Sequence, residues 1–500
     1  MRCKLYTEQA WIYKRAALSP TKIALIDSNT GEEWSYNALI NHIAKWAHYF
    51  TQKEYKKGDR IVVISQNRIE LFAILFACAL KGILYVPLNF RLSSVELAYI
   101  LEDCEPVLII HDESHEQISN KFKQVELLLI SDIPDSTAQQ TPYNSNWISS
   151  DPWLIIYTGG TTGKAKGVVL SFEAVNWNAI NTIVSWGLND SDCTLNYMPM
   201  FHTGGINALC IPILMAGGTV VTGSQFHAEE AVHALNTYKT TLSLFVPTMY
   251  QSMLETEYMK TSSFPTVKAF LSGGAPCPHS IYNSFEKKGL LFKEGYGLTE
   301  AGPNNFQIDP KIAQKKKGAV GKCMQFNEVK IVNAAGEICR TNEVGELYIA
   351  GKHLFTGYWN NEIETSKVFA DGWLKTGDLA KVDEDGDYFI VGRKKELIIS
   401  GGENVYPQEV EQCLILYPNV REAAVIGVED EKWGECVTAF VSCLQNQDGL
   451  EQDLISFCKH TIGSYKTPKK IFILEELPRT VVGKIDKKRL LELAVSRSSI

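Results

Sequence analysis

The stretch Tyr157–Ser171, "YTGGTTGKAKGVVLS", holds four glycines, three threonines and two lysines, and an apolar run, "WLIIY", leads into it. Gly159, Gly160 and Gly163 let backbone N–H groups turn inward without a Cβ clash. Thr158, Thr161 and Thr162 add hydroxyl donors, and Lys164 and Lys166 add charge. Together these residues suit a phosphate cradle; a plain surface turn is the simpler reading of the same loop. The P-loop pattern G-x-x-x-x-G-K-[ST] fails, because Ala165 stands where Ser or Thr should follow Lys164, so a P-loop kinase or ATPase is disfavoured. Other residues that could do chemistry are scattered: His202 beside Thr-Gly-Gly, Glu300 in "YGLTEAGP", Asp378 in "KTGDLA" and Lys484 after Gly483. In isolation these read as a structural histidine, a helix-cap glutamate, a turn aspartate and a solvated lysine.

Elements must position such groups, and 500 residues are too many for one core. Apolar residues make up 45% and charged residues 21%, as in soluble globular proteins. The net charge of -8 argues against a nucleic-acid partner, which would call for a basic stripe. Twelve cysteines show no C-x-x-C pair, so a zinc site is disfavoured and a reducing cytoplasm fits. The first residues lack the apolar core of a signal peptide. Leu71–Leu80 is too short to span a membrane and reads as a core helix.

Helix and strand signals alternate through the first 300 residues. Leu39, Ile43, Trp46 and Phe50 share one helical face, Ser93 and Glu96 form a capping-box pattern, and a helix is expected near Ala174–Val184. Such alternation implies layered α/β structure with mostly parallel sheet. Around residue 318 the texture changes to short strands, with a hairpin turn at Asp385-Gly386. "GRKKELIISGGENVYP" reads as a polar, basic crossing, and a compact α+β segment follows, with helices from Gln408, near Leu454–Thr461 and from Asp486. The expected division is therefore a large domain over 1–391, with a β-rich, barrel-like subdomain at about 318–391, and a small mobile domain over 392–500.

The glycine loop resembles the nucleotide loop of the adenylate-forming superfamily, the acyl-CoA synthetases, peptide-synthetase adenylation domains and luciferases. Further resemblances follow in the family's order: "MPMFHTGG" (198–205), "SGGAP" (272–276), "YGLTEAGP" (296–303), "GWLKTGDLA" (372–380), "GRKKELIISGGENVYPQEVE" (392–411) and "PRTVVGKIDKKRL" (478–490). Gly159 and Ala165 depart from the more usual Ser and Pro.

What the resemblance implies is a two-step reaction. A carboxylic acid and ATP-Mg²⁺ give an acyl-adenylate and pyrophosphate, and a thiol then displaces AMP. Carboxylate and α-phosphate repel by about 4 kcal/mol per charge pair at about 4 Å and an effective dielectric near 20, which metal and lysine must offset. On this resemblance Glu300 ligates Mg²⁺, Thr299 and Thr162 bond phosphate, and Lys484 is the catalytic lysine. Tyr296 and Gly297 lie at the adenine, Gly273, Gly274 and Ala275 along the purine and acyl group, Asp378 on the ribose hydroxyls and Arg393 at ribose or phosphate. His202 orients the carboxylate or gates an acyl pocket whose candidates are Phe201, Gly205, Asn207, Thr248, Ser272, Gly302 and Asn304. Gly401, Gly402 and Glu403 face the coenzyme A tunnel, and Lys395 is the hinge between the half-reactions.

Coenzyme A is the simplest acceptor, since no carrier domain follows "KKRLLELA"; loading onto a separate carrier protein is the alternative. No arginine falls within "FHTGGIN" or "PTMYQ", which disfavours a dicarboxylate. A medium- or long-chain fatty acid is expected, with an aryl acid or O-succinylbenzoate as alternatives. A non-catalytic nucleotide-binding regulator is the rival class, against which Glu300 and Lys484 both argue. The expected partners are a small acid, ATP and CoA, without nucleic acid or membrane span, and a homodimer is the assembly to test for.

Overall fold

A computed structural model describes residues 11–122, 124–133, 147–159, 165–445, 449–480 and 485–498. Two seven-stranded sheets carry the first half. One runs Phe292–Glu294, Ala269–Ser272, Leu242–Phe245, Cys193–Asn196, Thr219–Thr222, Ile23–Asp27, Glu33–Ser35, and only its last pair is antiparallel. The other runs Gly357–Tyr358, Lys166–Ser171, Pro152–Thr158, Leu84–Pro87, Arg60–Ile64, Leu108–His111, Glu126–Leu129. Here the pair around the glycine loop is antiparallel, with Thr158 opposite Lys166, so that loop joins two neighbouring strands.

The helices between the sheets form where the apolar spacing demands them. Tyr36–Gln52 starts on a Ser35 cap and buries Leu39, Ile43, Trp46 and Phe50 completely or nearly so. Glu70–Lys81 buries every residue from Leu71 to Ala79 and stops at Gly82, whose φ of 65° suits glycine. An all-round apolar helix must be covered on all sides, and this one belongs to the largest core. Ser93 and Glu96 make the expected capping box. The helix expected near Ala174–Val184 runs Phe172–Trp186.

The β-rich segment forms an antiparallel sheet in the order Phe306–Gln307, Ala319–Cys323, Tyr388–Arg393, Trp373–Val382, Gly345–Ala350, Glu328–Val332. Asp385-Gly386 turns between two of its strands, with Gly386 at φ 81°. A fourth sheet, Glu403–Val405, Ile398–Ser400, Gly434–Cys443, Val420–Asp430, has Lys470–Leu474 against Gly434–Cys443 and buries apolar clusters of its own. The segment read as a polar crossing is thus partly a hairpin. Gly401 and Gly402, at φ 60° and 84°, make its two-residue turn, which needs positive φ at both positions. The helix read near Leu454–Thr461 begins four residues earlier, at Leu450. Among the described residues no helix is long and apolar enough to cross a membrane.

Candidate active site

Two sheets and the antiparallel segment meet at the loop after Phe292–Glu294. Tyr296 leaves this strand, and its hydroxyl donates to Asp378 Oδ2 at 2.6 Å. Asp378 sits on the long strand Trp373–Val382, opposite Arg393 in register, and Arg393 Nε lies 2.7 Å from Asp378 Oδ1. The Asp378 amide donates to Thr376 Oγ1 at 3.0 Å, and Thr376 Oγ1 donates to the Leu347 carbonyl, so the aspartate is held from its backbone as well. The carboxylate is 5% exposed while Arg393 is 44% exposed, so one partner faces inward and the other faces solvent. Burial, then the neighbouring Asp378, pushes the Tyr296 phenol far up, so it stays a donor. Here a carboxylate with two oxygens, a phenol and a guanidinium converge.

A second chain of contacts runs beside it. Glu300 lies in a one-turn helix, Thr299–Ala301, and its Oε1 accepts from Tyr358 Oη at 2.9 Å. Lys166 Nζ sits 5.1 Å from the Tyr358 ring centre and is bonded to Glu364. Lys166 and then Lys367 hold the Glu364 carboxyl down to about 2. Lys166, read from sequence as a phosphate ligand, is therefore tied to a carboxylate. Sequence reading missed Tyr358, Thr376 and Glu364; the glycine-aromatic step "GYW" was the only signal for the first.

Glu300 is half-buried and offers a hard oxygen donor. One protein carboxylate suits Mg²⁺, which takes one or two carboxylates and completes its shell with water and substrate phosphate. The acidic triad Asp383, Asp385 and Asp387 is no rival, since Lys316 Nζ lies 2.7, 2.6 and 2.6 Å from the three.

The acyl side is braced by amides. Asn67 accepts from Met200 N and donates to the Met198 carbonyl, both at 2.9 Å, which pins the loop carrying Phe201 and His202. His202 precedes the short helix Thr203–Asn207. A Cβ on Gly205 would lie 2.1 Å from the Pro199 carbonyl, so only glycine fits. Ser272 is wholly buried at the end of its strand, whereas Thr248 is exposed on helix Pro247–Glu255. Gly302, at φ 66°, abuts Asn178. Asn304, read as a pocket residue, uses its amide nitrogen on Thr182 Oγ1 and the Ala208 carbonyl at 3.0 and 2.7 Å. Both N–H groups are occupied, so it braces the wall and has none to offer a ligand. Asn305 Oδ1 accepts from Asn327 at 3.2 Å and pairs with His353 Nε2 at 2.9 Å. Burial holds His353 down at about 4, hence neutral, with the proton on Nε2.

Buried Glu294 accepts from Cys277 N and Tyr282 Oη, at 3.0 and 2.8 Å, closing the loop of Gly273, Gly274 and Ala275 onto the neighbouring strand. Burial pushes its carboxyl up to about 7. Gly401, Gly402 and Glu403 are exposed on their hairpin, and Lys395 sits in the short helical turn Lys394–Glu396. Thr158 ends the strand before the glycine loop, and Gly159 follows it. Gly160, Thr161, Thr162, Gly163, Lys164 and Lys484 lie outside the described residues.

The AMP-binding enzyme profile matches residues 12–359, and the AMP-binding enzyme C-terminal domain profile matches residues 409–484. The chain belongs to the AMP-binding enzyme family. A feruloyl-CoA synthase of Amycolatopsis sp is 34% identical over 478 residues, covering 96% of this chain and 97% of that protein. An indoleacetate–CoA ligase of Aromatoleum aromaticum is 32% identical, covering 98% of both. Among solved structures, the o-succinylbenzoate CoA synthetase of Bacillus subtilis with its acyl-adenylate intermediate superposes with a TM-score of 0.88 at 31% identity, over 96% of this chain and 97% of that one. A double mutant of that enzyme bound to a product analogue, OSB-NCoA, superposes at 0.73, over 96% of this chain and 98% of that one. The chain is thus an ATP-dependent, AMP-forming acid–CoA ligase, with ATP-Mg²⁺ and coenzyme A as the co-substrates of its class.

Proposed function

We propose that this enzyme activates an aromatic carboxylic acid and transfers the acyl group to coenzyme A. The observation that carries the reading is the end-to-end likeness to ligases named for feruloyl, indoleacetate and o-succinylbenzoate substrates. It replaces the fatty acid expected from sequence as the first reading. Asp378 accepts the ribose hydroxyls, Tyr296 borders the adenine, and Arg393 steadies the carboxylate or a phosphate. Thr299, Thr162 and the glycine loop bond phosphate oxygens, and Lys484 neutralises charge between carboxylate and α-phosphate. Glu300 holds Mg²⁺, which when bound supplies positive charge against the triphosphate. Tyr358, donating to Glu300, orients that carboxylate. Phe201, His202, Gly205, Asn207, Thr248, Ser272 and Gly302 surround the acyl group.

The small domain, which we divide from the large one at Gly392, turns about Lys395 after adenylation and presents Gly401, Gly402 and Glu403 to the thiol. The gap between the two superpositions, 0.88 against 0.73, supports a resting arrangement like that of the adenylate complex. Free thiols at the described cysteines support a reducing cytoplasmic setting. Homodimer formation is a further proposal, checked by light scattering. The substrate reading is tested by thioester formation across a panel of aryl acids, octanoate and palmitate. Aryl acids should lead in kcat/KM by at least about tenfold; a lead by the fatty acids overturns the reading.

A further inference from the structure

At the opposite end of the first sheet lies a second cleft. The site described above gathers at the carboxyl ends of Ala269–Ser272 and Phe292–Glu294. This cleft opens at their amino ends, where Asp192, Leu242, Lys268 and Leu291 line it. Its volume is about 290 Å³, near the lower bound of about 300 Å³ for small-molecule sites. One wall is the Trp186 ring, and apolar Leu188, Ile308 and Pro310 complete the apolar lining.

The charges do not cancel. Lys268, Lys293 and Lys311 face Asp192 and Asp309. Asp192 is satisfied, accepting from Lys268 Nζ at 2.6 Å and Thr241 Oγ1 at 2.7 Å. Asp309 caps the following backbone through Lys311 N at 2.8 Å. Lys293 is 7% exposed, and among the described residues its Nζ makes no hydrogen bond or ion pair. Its ammonium lies over the Trp186 ring, with Nζ 4.3 Å from the ring centre, and Asp309 acts on it electrostatically. A cation nine-tenths buried without a carboxylate in ion-pair contact is costly, and the cation–π contact and the charge of Asp309 beyond that distance offset only part of it.

We infer that this cleft is a binding site for an aromatic carboxylate, with the carboxylate on Lys293 Nζ and the ring beside Trp186. One negative charge balances three lysines against two aspartates, which favours a monoanion. The ring satisfies the apolar lining. Burial already lowers the Lys293 ammonium to about 8, opposed by Asp309, so its charge is the part of the site that pH switches near neutrality. The inference stands on charge and shape at this end of the sheet and does not rest on the acid proposed for the active site.

The test labels the intact enzyme with 5-fluorotryptophan and assigns the Trp186 resonance in the ¹⁹F spectrum from Trp186→Phe. The probe is benzoate, with benzamide as its uncharged counterpart. Benzoate should shift the Trp186 resonance saturably and benzamide should not. Lys293→Met should raise the half-saturating benzoate concentration at least about tenfold. In the unmutated enzyme the same concentration should rise at least about tenfold between about pH 7 and about pH 9.5, as Lys293 loses its proton. No shift with benzoate, equal shifts with benzamide, or unchanged affinity in Lys293→Met would each overturn the site. Should that variant not fold, pH-independent binding in the unmutated enzyme overturns it instead.

Discussion

Asp378→Asn keeps the shape of the side chain and removes its charge. The carboxylate is buried and takes Tyr296 Oη at 2.6 Å and Arg393 Nε at 2.7 Å. Asparagine still accepts from Tyr296, so the adenine-side wall stays in place. Arg393 loses a partner, but at 44% exposure water replaces it, and the cost to stability is under about 1 kcal/mol. The main loss falls on ribose. Hydrogen bonds to a charged acceptor contribute about 1.5–3 kcal/mol, or roughly 10- to 150-fold in affinity. Ribose does not react, so its contacts hold ground state and transition state alike. The KM for ATP should therefore rise by that factor, while kcat changes little and the KM for the acid is unmoved. Steady-state pyrophosphate release with ATP and the acid varied in turn, beside a melting curve, reads all four. An unchanged KM for ATP, or a collapse of kcat alone with intact melting, refutes the placing of ribose on Asp378.

Glu300→Gln should lower adenylation by about 10²–10³-fold, and Tyr358→Phe by less, in the same pyrophosphate assay; parity of Glu300→Gln with the parent enzyme rules out the metal role. Glu294 is raised to about 7 in the folded enzyme, so its protonated form stabilises the fold below the ordinary glutamate range, and that contribution drains away as pH rises to about 7. Glu294→Gln should remove this decline of up to about 3 kcal/mol in chemical unfolding between about pH 4.5 and 7. Gly205→Ala drives a Cβ to 2.1 Å from the Pro199 carbonyl and should cost about 1–3 kcal/mol in stability, read by thermal melting. Lys395→Pro fixes φ at the proposed hinge and should slow thioester formation from supplied acyl-adenylate more than adenylation; equal loss in both steps counts against a hinge there.

The sequence carried the elements with strong periodicity or caps. The face of Leu39, Ile43, Trp46 and Phe50, the Ser93–Glu96 capping box and the Asp385-Gly386 turn are local patterns, and each is present in the fold. Sheet order depends on contacts between residues far apart in the chain. The pairing of Gly357–Tyr358 with Lys166–Ser171 joins segments almost 200 residues apart, and nothing local announces it. The site follows the same division. Motif residues such as Asp378 and Tyr296 stand out as types, but their 2.6 Å contact spans 82 positions. Glu364 and Asn67 act through such long-range contacts and carry no local signature, and Tyr358 has only its "GYW" step. Asn304 illustrates the converse. Its polar type was visible, but the Thr182 and Ala208 partners that occupy it were not.

The central claim is an enzyme-bound acyl-adenylate, and acid-dependent exchange of labelled pyrophosphate into ATP, in the absence of coenzyme A, measures it directly. With ATP, Mg²⁺ and a preferred aryl acid, label should enter ATP, because adenylate formation is reversible before any thiol is present. Glu300→Gln and Lys484→Ala should each reduce the exchange by about 10²-fold or more. Exchange that requires coenzyme A, or that proceeds equally without any acid, would contradict the two-step account.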